Sequence, residues 1–166
     1  GTAASDLGTS GTAGYTYIDL ANPSNGRGIL DSIELWFRTT GGGVKVGTFY
    51  GTAPLLTCRD VVTIGAVTSG SKQTFTNVCL QIELGDYIGF YFASGGQAYA
   101  ASGGTNVDYL LGDFLTKGLQ KTYTLLSGYR FAGYGSGVEG QWKKNYLHAR
   151  RDRMNMGRVS TQNQLA

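Results

Sequence analysis

The stretch Ile29-Leu30-Asp31-Ser32-Ile33-Glu34-Leu35-Trp36-Phe37-Arg38 decides the fold class. Ile29, Asp31, Ile33, Leu35 and Phe37 fall on one side of a two-residue repeat, and Leu30, Ser32, Glu34, Trp36 and Arg38 on the other. The first side is mostly apolar, which predicts a strand with that face on a core. The same alternation returns downstream. Val78, Leu80, Ile82 and Leu84 share one side, opposite Cys79, Gln81 and Glu83.

Working outward, Gly41-Gly42-Gly43 reads as the end of the first strand, and Val44 to Tyr50 as the next. Leu55 to Ile64 follows Pro54, and Gly70 turns the chain. Gly85-Asp86 is a hairpin signal before the densely apolar Tyr87 to Phe92, which predicts a central strand. Shorter strands are predicted near 97–101, 108–111 and 122–126, with Tyr129 to Tyr134 as the last of the body. Gly133, Gly135, Gly137 and Gly140 then mark a boundary. Upstream, Tyr15 to Leu20 is a short strand, ended by the turn formers Asn22 to Gly26.

Composition agrees with this. Glycine makes up 27 of 166 residues and proline only 2, while 15% of residues are charged and 41% apolar. Many turn residues and few charges suit an all-β protein, and the apolar share argues against disorder. A run of strands at ~8–12-residue spacing points to an antiparallel β-sandwich, and most specifically a jelly roll, which leaves few exposed edges. The predicted domains are a flexible N-terminal arm over 1–14, a β-sandwich over 15–138 and a basic C-terminal arm over 139–166. The first of these is small and polar, like an extended terminus. The start, Gly1-Thr2-Ala3, lacks methionine and fits either processing or a fragment. The sequence shows no signal-peptide pattern and no apolar run long enough to span a bilayer, so no membrane partner is expected.

Charge is unevenly placed. Residues 139–166 hold six Lys/Arg and two acids, a net +4, which leaves −1 of the chain's +3 for residues 1–138. Within the basic segment Trp142, Tyr146 and Ala149 follow i, i+4, i+7, and Gly157 stands where a helix cap would, so 141–156 is read as a short helix or as an arm that orders on a partner. Aromatic, methionine and arginine side chains interleaved in this way are enriched at interfaces. The favoured reading is an anchoring arm whose partner-binding residues are Trp142, Lys143, Lys144, Tyr146, Arg150, Arg151, Arg153 and Met154, against a solvated terminus or a segment that binds nucleic-acid phosphates.

Catalytic chemistry finds little to work with. The single histidine, His148, stands beside Ala149-Arg150-Arg151, a solvated or partner-facing setting. Asp86 reads as a turn residue. Asp108 and Asp113 are conceivable contributors to a calcium site, which wants six to eight oxygens, but read more simply as loop acids. Gly133-Tyr134-Gly135-Ser136-Gly137 lacks the Lys-Ser/Thr of a phosphate loop and reads as a turn. The expectation is a protein that is not an enzyme, with no cofactor and no metal. Cys58 and Cys79 would face each other if residues 58–79 fold back as a hairpin about Thr68 to Ser71; otherwise they are two small thiols. The eleven tyrosines read first as strand residues, next as interface anchors and last as platforms for sugar rings.

Several short stretches fall in an ordered series: Val46-Gly47-Thr48-Phe49-Tyr50, Thr57-Cys58-Arg59-Asp60, Ile64-Gly65, Thr68 to Phe75, and Gly85-Asp86-Tyr87-Ile88-Gly89. The series resembles a β-sandwich module recurrent in tailed-bacteriophage virion structural proteins, minor structural, fibre-associated and capsid-decorating ones among them. It spans residues 28–137 and rests on turn and strand signatures, so it implies no catalytic residues. What it implies is a virion location and a structural role, with partners that include further copies of the chain (a homo-oligomer, by analogy a trimer) and other virion proteins such as the major capsid protein. The alternative is a carbohydrate-binding module for host-surface adhesion. Nucleic acid is the less favoured partner.

Overall fold

A computed structural model describes residues 1–140. The predicted helix over 141–156, His148 and the partner-binding residues Trp142 to Met154 lie outside the described residues. The described chain is all-β. Its strands are β1 (Thr9–Ser10), β2 (Tyr15–Asp19), β3 (Gly28–Thr52), β4 (Leu55–Val67), β5 (Lys72–Ile82), β6 (Tyr87–Tyr91), β7 (Ser94–Ala100), β8 (Asn106–Leu111), β9 (Gln120–Thr122), β10 (Thr124–Ser127), β11 (Arg130–Phe131) and β12 (Gly133–Glu139). Every strand pairing is antiparallel, and the pairings join all of them into one curled sheet.

The curl closes on itself. The second half of β3 pairs with β6, β6 with β2, β2 with β8, and β8 with β10. On its other side β3 pairs with β4, and β4 with β9. Only Tyr123 separates β9 from β10, and its N–H donates to the Pro54 carbonyl at 2.8 Å. Residues 120–127 thus act as one wall bridging the two free edges. A second limb lies beside this ring, where the first half of β3 is flanked by β5 and β12.

β3 therefore belongs to both parts. The sequence reading ended a strand at Gly41-Gly42-Gly43; instead the strand runs through them and bends. The pairing with β4 slips between Gly41 and Val44, and that with β7 slips between Thr39 and Gly42. Gly43 takes φ 60°, which a side chain would disfavour. A Cβ on Gly41 would stand 2.7 Å from Cδ1 of Phe37, so glycine lets the strand fold over that ring.

Two interiors result. Ring strands send alternate side chains to different sides, so both faces are buried. Tyr17, Val46, Ile88, Phe90 and Val107 face the second limb and pack with Leu30, Ile33, Leu35, Phe37 and Leu80. Ile18, Phe49, Leu56, Cys58, Leu115 and Tyr123 fill the bore of the ring. Each large apolar side chain removed from water this way contributes about 1.5–3 kcal/mol.

Several local expectations change for physical reasons. Asp31 was grouped with the core face, yet it is exposed and Leu30 is buried. The register slips between Leu30 and Ser32 against β5, and at the matching place against β12, so Asp31 is a bulge residue turned to water. Leu84, grouped with Val78 and Leu80, is 72% exposed because β5 stops at Ile82. The boundary glycines 133, 135 and 137 instead lie within strand β12. A Cβ on Gly133 would collide with the Phe90 ring, and one on Gly135 would come within 2.9 Å of Leu30 Cδ1. The absent side chains let β12 lie close over the core. β4 and β5 pair with opposite halves of β3, not with each other, so no hairpin joins Cys58 to Cys79. Both thiols are free, one buried in the bore and the other exposed.

Residues 1–14 lie against the body. Thr2 bridges to Ala132 and Gly133, β1 pairs with β7, and the Gly11 N–H donates to the Gln97 carbonyl at 2.8 Å. Arg38 reaches out to the Gly8 carbonyl and the Asp6 carboxylate. Backbone pairing needs no apolar side chains, so the small polar composition of this segment does not prevent it from docking.

Candidate functional site

A cleft of about 270 Å³ is lined mostly by aromatic rings. Tyr15 and Tyr17 come from β2, Tyr109 from β8, Tyr99 from β7, and Tyr129 and Phe131 from β11 and the residue before it. Tyr15 and Tyr17 are two apart on one strand and so share a face. Register puts Tyr109 opposite Tyr17, and Phe131 opposite Tyr99. The rings form a continuous series. Tyr129 stacks on Tyr99 at 5.6 Å, and Tyr99 on Phe131 at 5.4 Å. Phe131 meets Tyr17 at 4.3 Å, Tyr17 meets Tyr15 at 5.9 Å, and Tyr15 meets Tyr109 at 5.9 Å. Spacings of this size are favourable for aromatic pairs.

Tyr17 and Phe131 are buried and form the floor, while Tyr15, Tyr99, Tyr109 and Tyr129 are half-buried walls. The Tyr17 hydroxyl donates to the Thr12 carbonyl at 3.0 Å. Burial pushes that phenol up to about 12. Gly11, Thr12 and Leu126 complete the lining, and no lining residue is charged.

A larger hollow of about 520 Å³ opens between loop 22–28 and β12. It is broad and lined mostly by backbone and small residues, with Arg27 and Glu139 at its rim. The Gly140 N–H donates to the Arg27 carbonyl at 3.0 Å, so the described chain ends on this rim.

The acids that are buried or paired with a base are dispersed and individually engaged. Asp19 accepts hydrogen bonds from the Thr2 hydroxyl and the Ala21 N–H. Asp60 accepts from the Gln81 N–H and the Lys117 ammonium. Asp113 pairs with Lys45 and accepts from the Leu115 N–H. Asp86, read as a turn residue, does more than turn the chain. It is buried, receives both Nε and Nη2 of Arg59, and accepts the Glu83 N–H. Arg59 also lies over the Tyr50 ring at 4.4 Å, and its bond to Asp86 raises its pKa further.

Asp108 is the exception. It projects into the bore between Ile18 and Leu125, fully buried, and neither carboxylate oxygen has a hydrogen-bond partner. Desolvation raises its pKa. The hydroxyl of Tyr123, in the same bore, is also without a partner. Burial raises the Tyr123 phenol, and Cys58 and Asp108 add to the rise. Burial likewise pushes the Cys58 thiol up to about 12. Asp108 and Asp113 do not converge on an ion: one is enclosed and the other is paired with Lys45 at the surface. Among the described residues no three His, Cys, Asp or Glu side chains come together as metal ligands would, and no helix is long and apolar enough to cross a membrane.

Compared with known proteins, the chain matches no family model, no curated protein and no solved structure. The tyrosine cleft was not among the sites read from sequence. The i, i+2 spacing of Tyr15 and Tyr17 was visible, but the cleft depends on pairings across β2, β8, β7 and β11 that no local pattern encodes.

Proposed function

We propose that the chain is a non-catalytic virion structural component, a capsid-decorating, minor capsid or tail-associated module with a jelly-roll-like body. Its attachment element is the basic segment 139–166. Trp142, Tyr146 and Met154 act as anchors, and Lys143, Lys144, Arg150, Arg151 and Arg153 pair with acids of the partner. Partners are further copies of the chain, as a trimer, and the major capsid protein. The carrying observation is the division between the two parts. A nearly neutral β body fills both its interiors with residues up to Phe131, and a segment of net +4 begins where β12 ends, at the rim beside Arg27. The resemblance over residues 28–137 supports the virion setting. The N-terminal residues pair with the body itself, which supports reading the C-terminal segment as the attachment element.

The test compares the native mass of the full chain by light scattering with that of a chain ending at Gly140, alongside sedimentation of each with capsid shells. A full chain that assembles or binds shells, beside a folded truncation that does neither, is the expected result. Equal behaviour of the two refutes the attachment role. Segment-dependent DNA binding that falls steeply with salt would move the reading to a nucleic-acid partner.

A further inference from the structure

We infer that the tyrosine cleft is a binding site for a neutral saccharide. The inference goes beyond the attachment role and does not depend on it. Three observations carry it. The first is ring geometry: four half-buried tyrosines wall a hollow whose floor is Tyr17 and Phe131. Pyranose rings carry flat patches of C–H groups that pack against such faces. The second is charge. No Asp, Glu, Lys, Arg or His lines the cleft, so phosphate chains and charged peptides find no opposite charge there. The third is hydrogen-bonding capacity. The Tyr17 hydroxyl is engaged by Thr12, whereas those of Tyr15, Tyr99, Tyr109 and Tyr129 bond to no other described residue. They leave donors and acceptors at the rim for a ligand rich in hydroxyls.

Size separates this occupant from the main rival, a proline-rich peptide, which also favours aromatic-lined surfaces. Such peptides lie extended, at ~3.1 Å per residue, and need a long channel. The cleft is a single hollow of about 270 Å³. That is near the lower end of the ~300–1,000 Å³ range of small-molecule sites.

The experiment titrates the full chain with neutral oligosaccharides of glucose, galactose and N-acetylglucosamine, and with a polyproline peptide. Calorimetry gives the affinity, and NMR follows the Gly11 and Thr12 amides. We expect saturable binding of at least one oligosaccharide, unchanged between low and high salt, with shifts at those amides. Tyr129→Ala and Tyr109→Ala should each weaken it about tenfold. Tyr129→Phe and Tyr109→Phe keep the rings and guard against loss of folding; they should weaken it less than the alanines do. Binding of the polyproline peptide in place of sugar overturns the inference. So does failure of every oligosaccharide, binding untouched by both alanine variants, or shifts confined to other parts of the chain. A chain that attaches to shells yet binds no sugar overturns this inference alone.

Discussion

Replacing Asp108 by valine should make the protein more stable. The side chain lies in the bore of the ring with both oxygens unpartnered and no access to water. A buried polar group left without a hydrogen bond costs about 1–3 kcal/mol. Valine is near in size, has no polar atom, and is favoured on a strand such as β8. The variant should therefore gain about 1–3 kcal/mol at neutral pH, which for a chain of this size raises the melting temperature by about 2–4 °C per kcal/mol. Ionisation gives the effect a pH dependence. Desolvation holds the folded-state pKa of Asp108 above its unfolded value near ~3.9. Its contribution to stability is thus fully present below pH ~3.9 and is lost as pH rises toward the folded pKa. Urea unfolding of wild type and variant from acid to neutral pH should show a gap that widens upward through that window. Asp108→Asn, which keeps the shape but cannot ionise, should recover only the pH-dependent part. A valine variant less stable than wild type, or a gap flat with pH, would refute the reasoning. It would mean that Asp108 is held by a partner inside the ring.

Other outcomes follow from single contacts. Gly133→Val forces a side chain into the Phe90 ring and should cost about 1–3 kcal/mol in thermal melts, with Gly8→Ala, in open space but at φ 90°, as a milder comparison. Arg59→Leu strips the fork from the buried Asp86 and should destabilise by about 2–3 kcal/mol, whereas Arg59→Lys, which keeps the charge, should cost less in the same denaturation assay. A thiol reagent should modify the exposed Cys79 in the native protein and reach Cys58 only after unfolding, since the latter is buried and its thiol is pushed up to about 12. Reaction of both thiols at equal rates in the native state would contradict the placement of Cys58 in the bore.

Strand positions were largely legible because burial on one face writes itself into a two-residue period. Ile33, Leu35 and Phe37 are inward as read, and Tyr87 to Tyr91 is a central strand between β3 and β2. Two of the failures share one cause, glycine. As punctuation, Gly41 to Gly43 and the alternating glycines of 133–137 mark ends of strands. As missing side chains, they let β3 bend and let β12 lie against Phe90 and Leu30. Only the neighbours decide between the two meanings, and most of them, Ser94 and Ala93 for Gly42 and Gly43 and Phe90 and Leu30 for Gly133 and Gly135, are distant in sequence. The same holds for Asp31, whose outward turn is set by slips in two pairings at once, and for the tyrosine cleft, assembled from four strands. Of the two readings of Cys58 and Cys79, the free thiols hold, because β4 and β5 pair one after the other along opposite halves of β3 and not with each other.

The span of β3 also bears on how the chain is made. This strand leaves the ribosome early, but its partners are β4, β5, β6, β7 and β12, and the last of these ends at Glu139. Until then the edge of its first half that β12 covers has nothing to hydrogen-bond but water or another nascent chain. Partners so far apart along the chain make for slow folding, and unpaired edges invite intermolecular pairing. Expression should therefore reward slow synthesis, low temperature and chaperones. Nascent chains halted before residue 133 should resist protease poorly, and those extended past Gly140 should become resistant in a single step.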